Sequence, residues 1–328
     1  MATIQRECIV EVEYIGPELE VNDNVHGAMK RVWHDTADVF RSVTVGFGAG
    51  PVVIEGDWGP AFTEGDAKSL ALKLSAEQLH PREALYTGEI YLSLVFLAMN
   101  LAVPGSANFS NVRIRTSEEA GVRVRWSSAP FEGVWLDGDQ WPWAQPSEVS
   151  LAETWKWLQH LRPMDSQVAH SAVQRALFCL LHATRESAIS PTILIWLCSA
   201  LEALYDVPAE TIGRTLRNRV FLVLGRPASH KVAARQIARL YDLRSKFAHG
   251  SFEVVHPLAN DLLDCGVLRI HEGILPIFNL GYALVLSTLQ RMIRNGWRAL
   301  RFDETLLGER ATSGSVDSAP NQGLEPTR

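Results

Sequence analysis

Leu240-Tyr241-Asp242-Leu243-Arg244-Ser245-Lys246-Phe247-Ala248-His249-Gly250 closes a segment of helical periodicity that begins near Ser229. At about 100° per residue, Ala233, Ile237, Leu240, Tyr241, Phe247 and Ala248 share one face of that helix. Arg235, Arg239, Asp242, Ser245 and Lys246 share the opposite one. Arg244 breaks the division. It lies seven residues after Ile237, four after Leu240 and three after Tyr241, so a guanidinium that never loses its proton sits within the apolar stripe. A charge so placed requires a partner or a task, because burying it alone is costly. His249 comes five residues later, followed at once by Gly250, the residue type that most often closes a helix in the left-handed conformation. An ideal helix sets His249 about 140° round from Arg244, yet in the last turn the ring can swing towards the same end of the groove. The helix C-terminus favours an imidazolium, which places His249 to hold or exchange a proton near neutral pH.

Arg-x4-His followed by Gly, and preceded by Leu-Tyr-Asp-Leu, resembles the signature of the HEPN superfamily of small all-helical domains, most closely its Apea-like branch. Ser199-Ala200-Leu201-Glu202-Ala203-Leu204-Tyr205 and Arg214-Thr215-Leu216-Arg217-Asn218-Arg219 are similar to the earlier helices of that branch. The likeness covers roughly the second half of the chain. It implies a homodimer in which two copies of Arg244 and His249 face each other across a two-fold axis and form one cleft for RNA, with no metal and no cofactor. His249 would help deprotonate the ribose 2′-hydroxyl or protonate the leaving oxygen, and Arg244 would hold the scissile phosphate and its developing charge. A sugar hydroxyl as nucleophile makes such an activity specific to RNA. Asp242 and Ser245 would orient the pair, although many catalytic members carry an amide or acid directly after the Arg, where this chain has Ser245.

The implied function is a metal-independent endoribonuclease of the bacterial toxin or antiviral-defence kind. The alternative is a non-catalytic HEPN module that binds RNA or a protein partner. A purely structural account also stands: Arg244 pairs with a buried acid, Glu202 being the favourite because it lies in the apolar 201–205 segment, while His249 only caps the helix. Both hold together if Glu202 fixes Arg244 as a supporting group.

With 328 residues, of which 47% are hydrophobic, the chain has material for two domains of ordinary size. Its 31 basic and 37 acidic residues give a net charge of -6, which argues against broad adhesion to nucleic acid or to an anionic membrane. RNA contact therefore needs a local basic site. Arg214 and Arg217, with Arg219 beside them and Lys246 near the motif, are the candidates, against a solvated helix face as the other reading. Cys8, Cys179, Cys198 and Cys265 show no paired spacing, and three of them lie in apolar helical segments, as buried free thiols do. His170, His182, His230, His256 and His271 have no i, i+4 partner, so no metal site is expected. The N-terminus lacks a charged-then-apolar signal, and the apolar run from Ile274 to Met292 is interrupted by Pro276, Asn279, Gly281, Ser287 and Gln290. A buried core helix is the better reading of that run, and a reducing cytoplasm the default location.

The spacing predicts an α+β domain over 1–146, an all-α helical bundle over 147–305, and a disordered polar tail over 306–328. Residues 7–15 alternate charged and apolar side chains, the mark of a strand with one buried face. Residues 111–116 and 122–126 form a second strand pair around a turn at 117–121. Ala67–Leu74 and Glu89–Val103 read as helices, the second almost wholly apolar and so central. The glycines of Val45-Gly46-Phe47-Gly48-Ala49-Gly50-Pro51 have the wrong spacing for a phosphate loop and no lysine follows, so they read as a turn before a strand at 51–54. Asp57-Trp58-Gly59-Pro60 reads as a loop. Residues 133–146, with three tryptophans, read as an irregular connector packed on a neighbour. Helices are expected at 147–161, 165–187, 190–205, 209–224, 229–249 and 274–295, with a further piece around 258–269. The pairs Trp141-Trp143 and Trp155-Trp157 read as core or interface, not base-stacking platforms.

Overall fold

The computed structural model describes residues 3–12, 17, 21–47, 50–58, 61, 68–119, 121–136, 143–162, 166–186, 190–208, 212–256, 258, 259 and 262–303. Alternation builds the first strand, β1 (Ile4–Val12): Cys8, Val10 and Val12 are buried while Glu7 is exposed. It begins earlier than its pattern suggests, and the expected continuation at 13–15 lies outside the described residues. β1 pairs antiparallel with β4 (Lys68–Ala76) on one side and β5 (Phe109–Thr116) on the other. β2 (Ser42–Phe47) and β3 (Gly50–Gly56) extend the sheet beyond β4, and β6 (Val122–Trp126) closes the far edge, in the order β2-β3-β4-β1-β5-β6. The β5–β6 hairpin and the strand after the glycine-rich turn occur as expected, with the centre of that turn at 48 and 49 outside the described residues.

Three expectations need correction. Residues 68–74 are strand, not helix: Leu70, Leu72 and Leu74 are buried at every second position, a period that no helix can bury. An additional helix, α1 (Asp23–Val39), precedes the sheet's second strand. Asn22 caps it by accepting from Val25 N at 3.0 Å, and Val25, Ala28, Met29, Val32 and Thr36 form its inward stripe. The segment read as an irregular connector begins inside a helix, α3 (Ala129–Leu136). There Gly133 lies against the last long helix, α9 (Cys265–Asn295), where an added Cβ would stand 2.6 Å from Asn279 Oδ1. Residues 137–142, with Trp141, lie outside the described residues. Trp143 donates from Nε1 to Gly225 O at 2.7 Å and meets Phe221 edge-on, so it anchors as expected.

The central helix α2 (Pro81–Ala102) starts before its apolar run, with Pro81 in the first turn and Glu83 returning to His80 N at 2.9 Å. It settles on the sheet through Gly88, where a Cβ would come within 2.5 Å of Ile114 Cδ1. The helical region comprises α4 (Leu151–Leu161), α5 (Ala172–Ala183), α6 (Thr192–Leu204), α7 (Ile212–Leu224), α8 (His230–Ala248) and α9 (Cys265–Asn295). α5 is shorter than the expected 165–187 because Ser171 and Gln174 form a capping box that fixes its start. α9 is longer than expected and takes in the end of the predicted 258–269 piece, with Pro276 inside it. The tail at 304–328 lies outside the described residues.

α2 and α9 are both long and apolar enough to cross a membrane by length and composition, with 83% and 78% of their apolar windows buried inside the protein. They pack against each other and against α4. Gln290 on α9 joins the pieces: its Nε2 donates to Leu101 O at 2.9 Å and its Oε1 accepts from Ser147 N at 2.9 Å. Ser287 Oγ donates to Ala144 O at 2.5 Å, and Arg31 on α1 forms a two-bond ion pair with Glu148 at 2.9 and 2.5 Å. The buried side chains make one continuous core from Cys8 to Ile293 that crosses residue 146 without a break. The cysteines are free thiols; Cys8 and Cys198 are buried, Cys179 is half-buried, and Cys265, at the first turn of α9, is exposed.

A shared core predicts shared unfolding. Gln290→Leu leaves the buried Leu101 carbonyl unpaired, at a cost of about 1–3 kcal/mol. Far-ultraviolet dichroism and tryptophan fluorescence should report one lowered melting temperature, with both probes moving together; separate transitions for the sheet and the helices would contradict the continuous core.

Candidate functional site

α8 packs against α6, α7 and α9, and its pattern explains which side chains turn inward. Ala233, Ile237 and Leu240 are buried, and Tyr241, Leu243, Arg244 and Phe247 are half-buried. Ala248 belongs to the stripe by angle but is exposed, because it is the last helical residue and packing ends there. The helix closes at His249. His249 N donates to Ser245 O at 3.0 Å, Gly250 N to Phe247 O at 3.3 Å and Ser251 N to Lys246 O at 2.9 Å, with Gly250 at φ 74°. This is the left-handed closure that a Gly supplies without a Cβ penalty. The His249 side chain is exposed beyond it.

Arg244 points the other way, into a polar cluster at the α6–α8 contact. Cys198 and Glu202 stand one turn apart on α6, and Tyr241 and Arg244 one turn apart on α8. Burial raises the Glu202 carboxyl above the ordinary carboxylate range, opposed by the Arg244 charge and by the Tyr241 hydroxyl. The Cys198 thiol is pushed up to about 12, first by burial and then by Glu202. Tyr241 is raised mainly by burial, with Cys198 and Glu202 adding to it and Arg244 opposing. The four groups thus act on each other through space. Yet Arg244 Nε, Glu202 Oε1 and the Tyr241 hydroxyl are buried without a hydrogen bond of regular geometry, so Glu202 and Arg244 are neighbours, not a closed ion pair.

The remaining site candidates fall elsewhere. Asp242 holds Lys246 in an exposed i, i+4 ion pair of 2.8 Å on the outer face, so it does not orient Arg244 or His249. Ser245 is exposed, and its carbonyl is what receives the His249 N–H. Arg214 is exposed and Arg217 half-buried on α7. Arg219 is tied down: it donates to the carbonyls of Tyr205 (2.8 Å) and Asp206, and its guanidinium lies 4.7 Å from the centre of the Phe302 ring. Arg244 and His249 make no hydrogen bond with each other within the chain. Among the described residues no group of three or more His, Cys, Asp or Glu side chains could hold a metal ion.

Periodicity alone did not indicate a groove of about 620 Å³ between α8 and α9. Arg239, Leu243 and Lys246 line it from α8, and Arg269, Ile270 and Gly273 from α9. Arg239 Nη2 donates to Gly273 O at 2.9 Å and Arg269 Nε to Cys265 O at 3.3 Å, which orients both guanidinium groups while leaving further N–H groups free. The spacing of four and three residues on α8 was the available signal, but its facing wall comes from a helix that follows a separate loop. Comparison with protein-family models, curated proteins and solved structures finds no match to this chain.

The cluster carries a pH signature. A carboxyl whose folded pKa lies above its unfolded value binds its proton more readily in the fold, so folding gains from Glu202 at low pH and loses that gain as pH rises through the folded value. Glu202→Gln should therefore be at least as stable as the parent at pH 7, with the difference shrinking as the pH falls through the raised Glu202 value towards the ordinary carboxylate value. Melting curves at several pH values check this; a mutant much less stable at pH 7 would mean that the Arg244 attraction outweighs burial.

Proposed function

We propose that the helical region is an HEPN-like module of the Apea-like kind and that the chain is a metal-independent endoribonuclease of a toxin or antiviral-defence type, acting as a homodimer. The observation that carries this reading is the exposed imidazole of His249 on the closing turn of α8, five residues after a half-buried guanidinium in the Arg-x4-His-Gly pattern. An exposed imidazole at a helix C-terminus is suited to proton transfer to and from a ribose hydroxyl. The groove lined by Arg239, Lys246 and Arg269, with Glu253 also on its wall and Lys246 paired to Asp242, supplies the local excess of positive charge with which a protein of net charge -6 meets a phosphate chain.

Within one chain Arg244 and His249 face different ways, so a complete site draws on a second copy. The segment that follows α8 favours such a partner: Val254, Leu258, Leu262 and Leu263 are 70%, 85%, 90% and 86% exposed. Exposed apolar side chains in the segment that follows the motif are suited to covering by a two-fold mate. A non-catalytic module that binds RNA or a protein partner is the second reading. It is favoured by the position of Arg244 against Glu202 and Tyr241, where a structural cation would also lie. The role of the sheet region in sensing or restraint, and a cytoplasmic location, belong to the same proposal.

Incubating the purified chain with labelled single-stranded RNA in EDTA tests the reading. His249→Ala should abolish cleavage without lowering the melting temperature, since an exposed terminal ring contributes little packing. Leu262→Ser with Leu263→Ser should convert a dimer, seen by light scattering, to a monomer that no longer cuts. Equal cleavage by His249→Ala would sink the enzyme reading, and undiminished cleavage by a monomer would sink the composite site.

A further inference from the structure

Away from α8, a cavity of about 320 Å³ opens between α2 and α5. The helical period builds it. On α2, Tyr86, Glu89, Ile90, Ser93, Leu94 and Leu97 recur at intervals of three and four, and Leu177 and Leu181 on α5, with Arg185 just beyond its end, follow one another at intervals of four. Leu94, Leu97, Leu177 and Trp126 make one part of the wall apolar and buried. Tyr86 and Glu89, from the first half of α2, and Arg185, just past the end of α5, make another part polar. His182 also lines the cavity, its ring stacked on Trp196 with centroids 4.3 Å apart and planes at 11°.

The two charges on this wall decide what fits. Glu89 and Arg185 influence each other: burial raises the Glu89 carboxyl above its ordinary range, and the Arg185 charge opposes that rise. They nevertheless form neither a hydrogen bond nor an ion pair. Opposite charges that share a cavity without closing on each other leave room for a molecule that meets both. A ligand with a single positive charge satisfies Glu89 and is repelled by Arg185, and one with a single negative charge meets the reverse. A ligand carrying both charges beside an apolar body complements the whole wall.

We propose that this cavity binds a zwitterionic molecule of the α-amino-acid class with a large apolar side chain. Its ammonium group meets Glu89, its carboxylate meets Arg185, and its side chain lies against Leu94, Leu97 and Leu177. Neither Arg244 nor His249 lines the cavity, so the proposal stands or falls separately from the ribonuclease reading.

Calorimetric titration of the full chain with L-phenylalanine, phenethylamine and 3-phenylpropanoate tests it, since the three probes share a body and differ in charge. L-Phenylalanine should bind at least about tenfold more tightly than either single-charge probe, the ratio expected from one charged hydrogen bond. Glu89→Gln should erase its advantage over 3-phenylpropanoate, and Arg185→Gln its advantage over phenethylamine. Ile90→Trp should weaken all three by filling the cavity. Both charged positions are at least partly exposed, so their variants should melt like the parent, and that melting curve is the check on folding. Absence of saturable heat with L-phenylalanine, equal binding of the three probes, or an order of affinities untouched by the two charge variants would each overturn the proposal.

Discussion

Two apolar helices buried at the centre of one core set the terms for the rest of the chain. α2 and α9 each bring polar groups into an interior with no bulk water, where an unpaired group is costly; the Thr87 and Tyr282 hydroxyls stay without a hydrogen bond, and the groups that tie elements together are paired. Asn100 is one of these: its Nδ2 donates to Phe96 O and Ala107 O at 2.9 and 2.8 Å, and its Oδ1 accepts from Gly105 N at 2.8 Å. Those bonds shape the turn between α2 and β5, where Gly105 adopts φ 87° with no room for a Cβ beside Glu132. The sheet is thereby fixed to the helix it packs on. On α9, Gln290 reaches back to Leu101, and Thr288 bonds the Tyr205 hydroxyl at 2.6 Å at the end of α6. The helix carrying Glu202 is thus held in place by the same central element that joins the sheet.

Elements with a clean period were legible in the sequence, and those whose composition contradicts their environment were not. Val112, Ile114 and Val124 alternate with arginines, and the β5–β6 hairpin follows directly. Lys68-Ser69-Leu70-Ala71-Leu72-Lys73-Leu74 has the leucines, alanine and lysines of a helix former, and only its period of two reveals a strand. Strand pairing overrides that preference, since β1 and β3 flank β4 on both sides. α1 escaped because small and polar side chains, Ala28 and Thr36, fill part of its buried stripe. α3 was hidden because its second half runs into a stretch, 133–143, rich in Gly, Trp and Asp, although Ser128 bonds to Glu132 one turn on, as residues at a helix start often do.

At α8 the sequence showed where the unusual residues are but not what surrounds them. The conflict between Arg244 and its apolar stripe follows from helical spacing, Glu202 was singled out as an acid within the apolar 201–205 segment, and the fold brings the two near each other. Cys198 and Tyr241 are ordinary by spacing, and only the approach of α6 to α8 makes them part of the cluster. The pairing of Asp242 with Lys246 is written in the i, i+4 rule, and that pairing turns Asp242 away from Arg244 towards the rim where Lys246 meets the groove.

The buried Nε of Arg244 bears directly on the proposed chemistry. A guanidinium closed into a two-bond pair with Glu202 would lose strong hydrogen bonds on turning towards a phosphate. Here Nε and Glu202 Oε1 have no hydrogen bonds to lose, and only a through-space attraction, weakened by the raised proton affinity of the carboxyl, holds the two together. When Glu202 is protonated, even that attraction falls away. Under the ribonuclease reading, a phosphate entering beside α8 offers Arg244 charge-assisted hydrogen bonds in exchange for a weakened attraction to Glu202, which favours the outward position. Under the structural reading the same unsatisfied atoms would be a standing cost with no return, since buried polar groups that serve packing alone are ordinarily satisfied.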